Sequence, residues 1–158
     1  MPWPIQRILV PTDFSEHSRR AVEYALSLAE RTGASVDLLH VWEPPRHLEP
    51  ETLVMVPGDT GATLETLGLA HAGKLLHAWA EQYGSGSVPL KVHLERGHAA
   101  DAIVRVAGQG YDLIVMGTHG RTGLARLFMG SVAQKVSALA HCPVMTVHLE
   151  EQEARPAG

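Results

Sequence analysis

The residues best suited to chemistry form a loop punctuated by glycines. Gly117 and Gly120 are followed, after nine residues, by Gly130 and Ser131. An apolar run at 112–116 precedes this loop and a helical pattern follows it, so a buried strand leads through the loop to a helix start. Glycine permits positive φ and close approach to a ligand, and a helix N-terminus favours an anion. The pattern predicts a phosphate-binding loop.

Two other nucleotide-binding motifs and a helix cap are the alternatives to this interpretation. The loop lacks the Gly-Lys-Ser/Thr of a Walker A sequence and does not match the dinucleotide G-x-G-x-x-G motif. Ser131 and Gln134 also fit a capping box, which would explain the serine without a nucleotide. In either case the N–H groups of Ser131, Val132 and Ala133 would point outward as phosphate donors.

Strand and helix patterns alternate along the whole chain. Pro11 is expected to end the first strand, Ser15 to cap the first helix and Gly33 to stop it. Alternation with mostly continuous apolar strands predicts a single doubly wound, Rossmann-like α/β domain with a parallel sheet covered on both faces. The five strands are predicted at 5–10, 36–42, 88–94, 112–116 and 143–149.

Two loops are expected to meet at the carboxyl edge of this sheet. Ligands of doubly wound folds bind where the strand order reverses. If the first and fourth strands are neighbours, Pro11, Thr12 and Asp13 face Met116 and Gly117 across one crevice.

The spacing Gly-x2-Gly-x9-Gly-Ser resembles the ATP-binding signature of the universal stress protein family. Segments beginning at Ile8 (ILVPTDFS), Leu38 (LLHV), Asp112 (DLIVMGTHG) and His141 (HCPVMTV) agree with it, and the resemblance covers about residues 4 to 149. We expect a universal stress protein domain over 1–150 and a polar C-terminal tail over 151–158.

The resemblance implies a fold, a ligand and an assembly. The fold is the adenine nucleotide alpha hydrolase-like sheet of strand order 3-2-1-4-5, and the assembly is a homodimer paired through the last strand, at Pro143 to Leu149. The ligand is ATP, with Mg²⁺ as its companion ion. The family's adenosine contacts fall on Pro11, Thr12 and Asp13, with Val41 near the base, and His119 lies inside the nucleotide loop.

Several polar residues have a second interpretation. Asp13 can accept a hydrogen bond from a ribose hydroxyl or an adenine amine, or it can form an Asx turn before the helix, and both roles are compatible. Arg121 and Arg126 can neutralise phosphate, although loop arginines are often simply solvated. Arg121, directly after Gly120, is favoured, and Arg126 is left open.

Composition narrows the function classes. The 158 residues suit one domain, and a net charge of -4 argues against a general nucleic-acid binder. The only cysteine, Cys142, excludes an internal disulfide, and the ten histidines show no metal-ligand spacing. We expect a soluble, cytoplasmic protein, because neither a signal peptide nor a long apolar run is seen.

No catalytic constellation accompanies the phosphate loop, so a nucleotide-responsive regulatory module is the first hypothesis. The second is a slow ATPase or autophosphorylating enzyme using Thr118, Thr122 or Ser131. The third is a partner-binding dimer whose nucleotide site is idle. Residues 44–61 form a connection long enough to be functional.

Overall fold

The computed structural model describes residues 3–58, 61–118 and 129–149. Strands and helices alternate throughout these ranges. Within them, no helix combines the length and apolar character needed to cross a membrane. The elements are β1 (Arg7–Pro11), α1 (Glu16–Thr32), β2 (Ser35–Trp42), α2 (Leu64–Tyr83), β3 (Leu90–Arg96), α3 (Ala99–Ala107), β4 (Leu113–Gly117), α4 (Ser131–Leu139) and β5 (Val144–Val147).

The strands form one parallel sheet in the order β3-β2-β1-β4-β5, which confirms the predicted topology. From β1 the chain first builds outward through β2 to β3, and then returns to add β4 and β5 on the other side. The strand order therefore reverses between β1 and β4, where a doubly wound fold forms its ligand crevice.

Each face of the sheet has its own apolar core. On one face α1 and α2 contribute Val22, Ala25 and Leu76, which pack with Val10 and Leu38 from the strands. On the other face, α3 and α4 pack against the alternate strand residues; these members are Ile103, Val106, Val136, Leu9, Leu39 and Ile114. This alternation explains why the strands are apolar almost continuously.

Local sequence signals predicted the bounds of the first helix correctly. They predicted the ends of the strands less accurately. Ser15 is the N-cap of α1, and Gly33 ends that helix in the left-handed region at φ 77°. The first strand begins at Arg7, two residues later than predicted, and it ends at Pro11, which is itself its last residue. Pro11 is tolerated because the strand ends there. The last strand covers only Val144–Val147, shorter than predicted.

A buried polar cluster lies towards the amino ends of the strands. Asp37 is 4% exposed, and its Oδ2 accepts hydrogen bonds from the Tyr111 hydroxyl at 2.5 Å and from His93 Nε2 at 3.0 Å. The Arg7 guanidinium lies 3.7 Å from the same oxygen and over the Tyr111 ring. The cluster joins β1, β2, β3 and the residue that leads into β4.

The connection between β2 and α2 folds back on the start of α2. Val54 N donates to Ala62 O at 2.9 Å, and Leu64 N donates to Thr52 O at 2.8 Å. Met55 nevertheless stays 98% exposed. The long 44–61 connection is thus tied down at its base, with an apolar side chain held out to solvent.

Candidate functional site

The β1–α1 loop is a compact turn built by its own side chains. Thr12 N donates to Leu39 O at 2.8 Å, which fixes the loop to β2. Phe14 adopts φ 64°, and its N–H donates to Thr12 Oγ1 at 3.0 Å. A left-handed conformation at a bulky residue is held by its surroundings and occurs often at binding sites.

Asp13 forms the predicted Asx turn. Its Oδ1 accepts hydrogen bonds from Ser15 N at 3.0 Å and from Ser18 Oγ at 3.1 Å. Ser18, 4% exposed, also lies 3.0 Å from Thr12 Oγ1. The turn therefore holds the Asp13 carboxyl group in place at the start of α1.

His40 connects this loop to the carboxyl end of β2. Its Nδ1 lies 2.7 Å from Thr12 O; because a carbonyl only accepts, this nitrogen carries the proton. The Phe14 ring lies against the imidazole, with centroids 4.6 Å apart. The next residue, Val41, brings an aliphatic side chain to the crevice.

Gly117 is required for a reason that the sequence did not reveal. It is the last residue of β4, and a Cβ at this position would lie 2.8 Å from His17 Cβ and 3.0 Å from the His17 carbonyl carbon. The expected positive φ is wrong here, because only Gly33, Gly58, Gly97 and Gly110 adopt it among the described glycines. Gly117 instead allows α1 to pack directly against the end of β4.

Gly130 closes the base of the loop. Its N–H donates to Thr118 O at 2.6 Å, so the two ends of the loop are bonded to each other. At φ −59° it too lies outside the left-handed region, and it serves as the N-cap of α4. The glycine loop therefore enters and leaves through adjacent points at the edge of the sheet.

The capping box at Ser131 is also wrong. Ser131 is the first helical residue, and α4 has no side-chain hydrogen bond to its cap. The Gln134 side chain donates to Met129 O at 2.6 Å instead of reaching back to the cap. The first intrahelical bond joins Gln134 N to Gly130 O at 3.0 Å, so the preceding N–H groups, from Ser131 to Ala133, have no acceptor within the helix.

These elements surround a cavity of about 320 Å³, here called the central cavity. Its size falls within the range of small-ligand pockets. Of the predicted site residues, the structure brings together Pro11, Thr12, Asp13, Val41, Met116, Gly117, Gly130, Ser131, Val132 and Ala133. The predicted His119, Gly120 and Arg121, together with Arg126 and Thr122, lie outside the described residues.

Among the described residues, six further ones that sequence reasoning had not assigned to the binding site line the central cavity: Ser18, Leu39, His40, Ala99, Ile103 and Thr118. Two of them carried a usable signal. His40 is a polar residue near the carboxyl end of a mostly apolar strand, and Thr118 stands inside the glycine loop. The position of Ser18 depends on the turn at Asp13, which is visible only in three dimensions.

The central cavity has two chemically different ends. Leu39 and Val41 form an aliphatic wall on β2, to one side of β1, and the N-terminus of α4 follows β4, on the other side of β1. The first suits a flat apolar group, and the second suits an anion because of its N–H groups and the helix dipole. A ligand with a flat base and a charged tail matches both.

Metal and thiol chemistry have little support in the described residues. No group of three or more His, Cys, Asp or Glu side chains is placed to hold a metal ion in the part of the chain that the structure describes. Burial raises the pKa of the Cys142 thiol, which packs beside the α3–α4 core. A raised pKa lowers the thiolate fraction, so packing is its role.

Comparison with known proteins places this geometry in a family. The model of the universal stress protein family matches residues 4–148. The chain belongs to the universal stress protein family. It is 34% identical to universal stress protein MJ0531 of Methanocaldococcus jannaschii, covering 94% of this chain and 85% of that protein. It is 37% identical to a Thermus aquaticus universal stress protein, covering 89% and 96% respectively.

Solved structures share the fold. The structure of MJ0577, from the same archaeon, superposes with a TM-score of 0.80 at 26% identity, covering 94% of this chain and 99% of that one. A universal stress protein in complex with cAMP gives a TM-score of 0.67 at 24% identity, covering 92% and 98%. An Archaeoglobus fulgidus universal stress protein in complex with dAMP gives 0.62 at 22%, covering 91% and 98%.

Proposed function

We propose that this universal stress protein binds ATP in the central cavity and acts as a nucleotide-responsive regulatory module in the stress response. The observation that carries the proposal is the convergence of the Asp13 turn and the N-terminus of α4 on one cavity at the reversal of strand order. ATP binding would shift the population between two states of the protein that differ in affinity for it.

The adenosine end of the ligand is assigned to the aliphatic wall. The base packs beside Val41, and the Asp13 carboxyl group, held by the turn, accepts a hydrogen bond from a ribose hydroxyl or from the adenine amine. The relatives in complex with cAMP and dAMP carry adenine nucleotides on the same fold, which supports an adenine nucleotide here.

The phosphate end is assigned to the start of α4. The N–H groups of Ser131, Val132 and Ala133 have no acceptor within the helix and would donate to the phosphates, with His119, Gly120 and Arg121 as further proposed contacts from the loop. Mg²⁺ would enter with the phosphates, because the lining residues at this end contribute no carboxylate among those the structure describes.

A regulatory role fits better than efficient hydrolysis. At the phosphate end, the described lining residues are Gly117, Thr118 and the four residues at 130–133. None of them has a side chain that titrates near neutral pH. General base catalysis needs such a group within hydrogen-bond reach of the attacking water. Incubation with γ-labelled ATP tests the enzyme alternative, since phosphate release or labelled protein would favour an ATPase or an autophosphorylating enzyme.

Isothermal titration calorimetry with ATP and Mg²⁺ tests the proposal. The wild-type protein is expected to bind, and Gly130→Val is expected to bind at least about tenfold more weakly, a loss of about 1.4 kcal/mol, because a side chain there enters the approach to α4. Gly86→Val is the matched control, since a Cβ at Gly86 meets nothing within 4 Å. Absence of wild-type binding at millimolar ATP would overturn the proposal.

A homodimer paired through β5 is part of the proposal. β5 ends the sheet, and Met145 on that strand is 40% exposed. An open strand edge invites pairing with a second chain. Light scattering at micromolar protein should give twice the monomer mass, and a monomeric mass would contradict the assembly.

Mass spectrometry of the nucleotide released on denaturation separates an occupied site from an idle one.

A further inference from the structure

A second cavity, of about 370 Å³, adjoins the central cavity on the side of α2. We call it the side cavity. It shares Asp13, His40, Val41 and Ala99 with the central cavity, and none of the α4 residues lines it. Two of the shared residues, Asp13 and Val41, are those assigned to the adenosine end, so the side cavity extends the site beyond the base and away from the phosphates.

The side cavity is lined by aromatic and aliphatic groups. Phe14 and Trp42 contribute rings, and Ala72 and Leu75 contribute aliphatic surface from α2. The Trp42 indole lies directly over Gly68, where an added Cβ would fall 2.1 Å from the indole nitrogen. Gly68 therefore lets the indole approach the helix closely and line the cavity.

The charges at this cavity do not suit phosphate. The lining residues that the structure describes include the carboxylates of Asp13 and Glu43 and no lysine or arginine. The Glu43 carboxylate accepts a hydrogen bond from Ala99 N, so its charge lies at the N-terminus of α3. Anionic groups would be repelled here, whereas an uncharged aromatic group would bury apolar surface against the rings.

We propose that the side cavity binds an aromatic or other apolar substituent carried on the adenine ring of the nucleotide. The ligand class is an adenine nucleotide alkylated on its exocyclic amine. Asp13 lines both cavities, and an amine that donates to it points towards their junction. A singly alkylated amine keeps one N–H for that bond. A dinucleotide is a poorer fit for the side cavity. Its second nucleoside would be joined through the phosphates, which are assigned to the opposite end of the central cavity.

The inference rests on the proposed function, because it needs the nucleotide to lie with its base at Val41. The probe is ATP benzylated on the exocyclic amine of adenine (benzyl-ATP), compared with ATP by calorimetry. The wild type should bind benzyl-ATP about tenfold more tightly than ATP, because the benzyl group would remove apolar surface from water against the two rings.

Two variants on α2 locate the effect. His71 lines only the side cavity and is exposed, so His71→Trp should abolish the preference for benzyl-ATP and leave the affinity for ATP within about twofold. His77→Trp is the matched control, because His77 is exposed on the same helix and does not line the cavity. It should behave as the wild type.

The outcomes separate the two proposals. If ATP does not bind, the proposed function fails and the inference fails with it. If ATP binds and benzyl-ATP binds no more tightly, the inference alone is overturned. A preference that persists unchanged in His71→Trp also overturns it.

Discussion

Polar side chains gather at both ends of the parallel sheet, with different consequences. At the amino end, Tyr111 and His93 donate to Asp37, and Arg7 lies beside the same carboxylate. At the carboxyl end, the polar groups also bond to one another, yet they line a cavity of about 320 Å³ next to a helix N-terminus. Buried polarity is common to both ends, and the cavity distinguishes the candidate site.

The comparison teaches how to separate a structural cluster from a binding site. Asp37 is a buried titratable residue in contact with three others, a feature that suggests function when taken alone. Its partners satisfy it and come from separate elements, so its role is to hold those elements together. The hydrogen bonds of the Asp13 turn likewise hold the β1–α1 loop in place, and Asp13 also lines the central cavity.

The largest expected effect is the loss of stability on removing Asp37. Asp37→Ala leaves the buried Tyr111 hydroxyl without its acceptor and should lower the free energy of unfolding by about 2 to 3 kcal/mol. ATP affinity should stay unchanged, because the cluster does not line the central cavity. Urea unfolding and calorimetry measure the two quantities.

Asp37→Asn is the control for this change, since its amide oxygen can still accept from Tyr111. It should therefore retain more stability than Asp37→Ala. A loss of ATP binding in a folded Asp37→Ala protein would break the comparison, because it would couple the two ends of the sheet.

A pair of glycine substitutions gives the next effect. Gly117→Ala places a Cβ 2.8 Å from His17 Cβ and should cost about 2 kcal/mol of stability, as overpacking does. It should also weaken ATP binding, because the end of β4 must shift. Gly73, inside α2, has nothing within 4 Å of an added Cβ, so Gly73→Ala should stabilise by up to about 1 kcal/mol.

Both are measured by urea unfolding, with calorimetry for ATP. Equal stability changes at the two glycines would contradict the assignment of Gly117 to close helix packing. Unchanged ATP affinity in Gly117→Ala would show that the end of β4 tolerates displacement.

The smallest effect concerns Tyr111 and depends on pH. Burial, followed by the bond to Asp37, raises the pKa of Tyr111 from 10.0 to about 12. Above pH 10 the unfolded chain releases this proton while the folded chain keeps it. The stability that Tyr111 contributes is therefore complete below pH 10 and declines as the pH rises towards 12.

Tyr111→Phe tests this linkage. At pH 7 it should be less stable than the wild type by about 1 kcal/mol, the value of one hydrogen bond. The difference should shrink between pH 10 and pH 11, because only the wild type loses the contribution. Urea unfolding across this range measures it, and a difference independent of pH would contradict the raised pKa.

Short-range features were predictable because their causes are local. Ser15 caps α1 through a bond to Ser18, three residues away, and Gly33 ends the helix through its own backbone conformation. The Asx turn at Asp13 is equally local. The capping box failed at Ser131 although its pattern was present, since the helix starts one residue too early for that serine to be the cap.

Long-range features were not predictable from local pattern. The bond between Asp37 and Tyr111 spans 74 positions in the chain, and the contact of Gly117 with His17 depends on how α1 crosses β4. The lining of the central cavity by Ser18, Ala99 and Ile103 likewise depends on packing. Such pairings follow from the strand order, which no single segment encodes.

The amino-acid sequence by itself determined the alternation of strands and helices, the family and the two loops that face the crevice, because periodicity, caps and glycine spacing are properties of the chain. Only the tertiary structure showed why Gly117 must be glycine and that the polar cluster around Asp37 holds strands together without lining the central cavity. It also showed that a side cavity extends the site. These features depend on distances between segments that are far apart in the chain, and those distances are set by the packing of helices on both faces of the sheet.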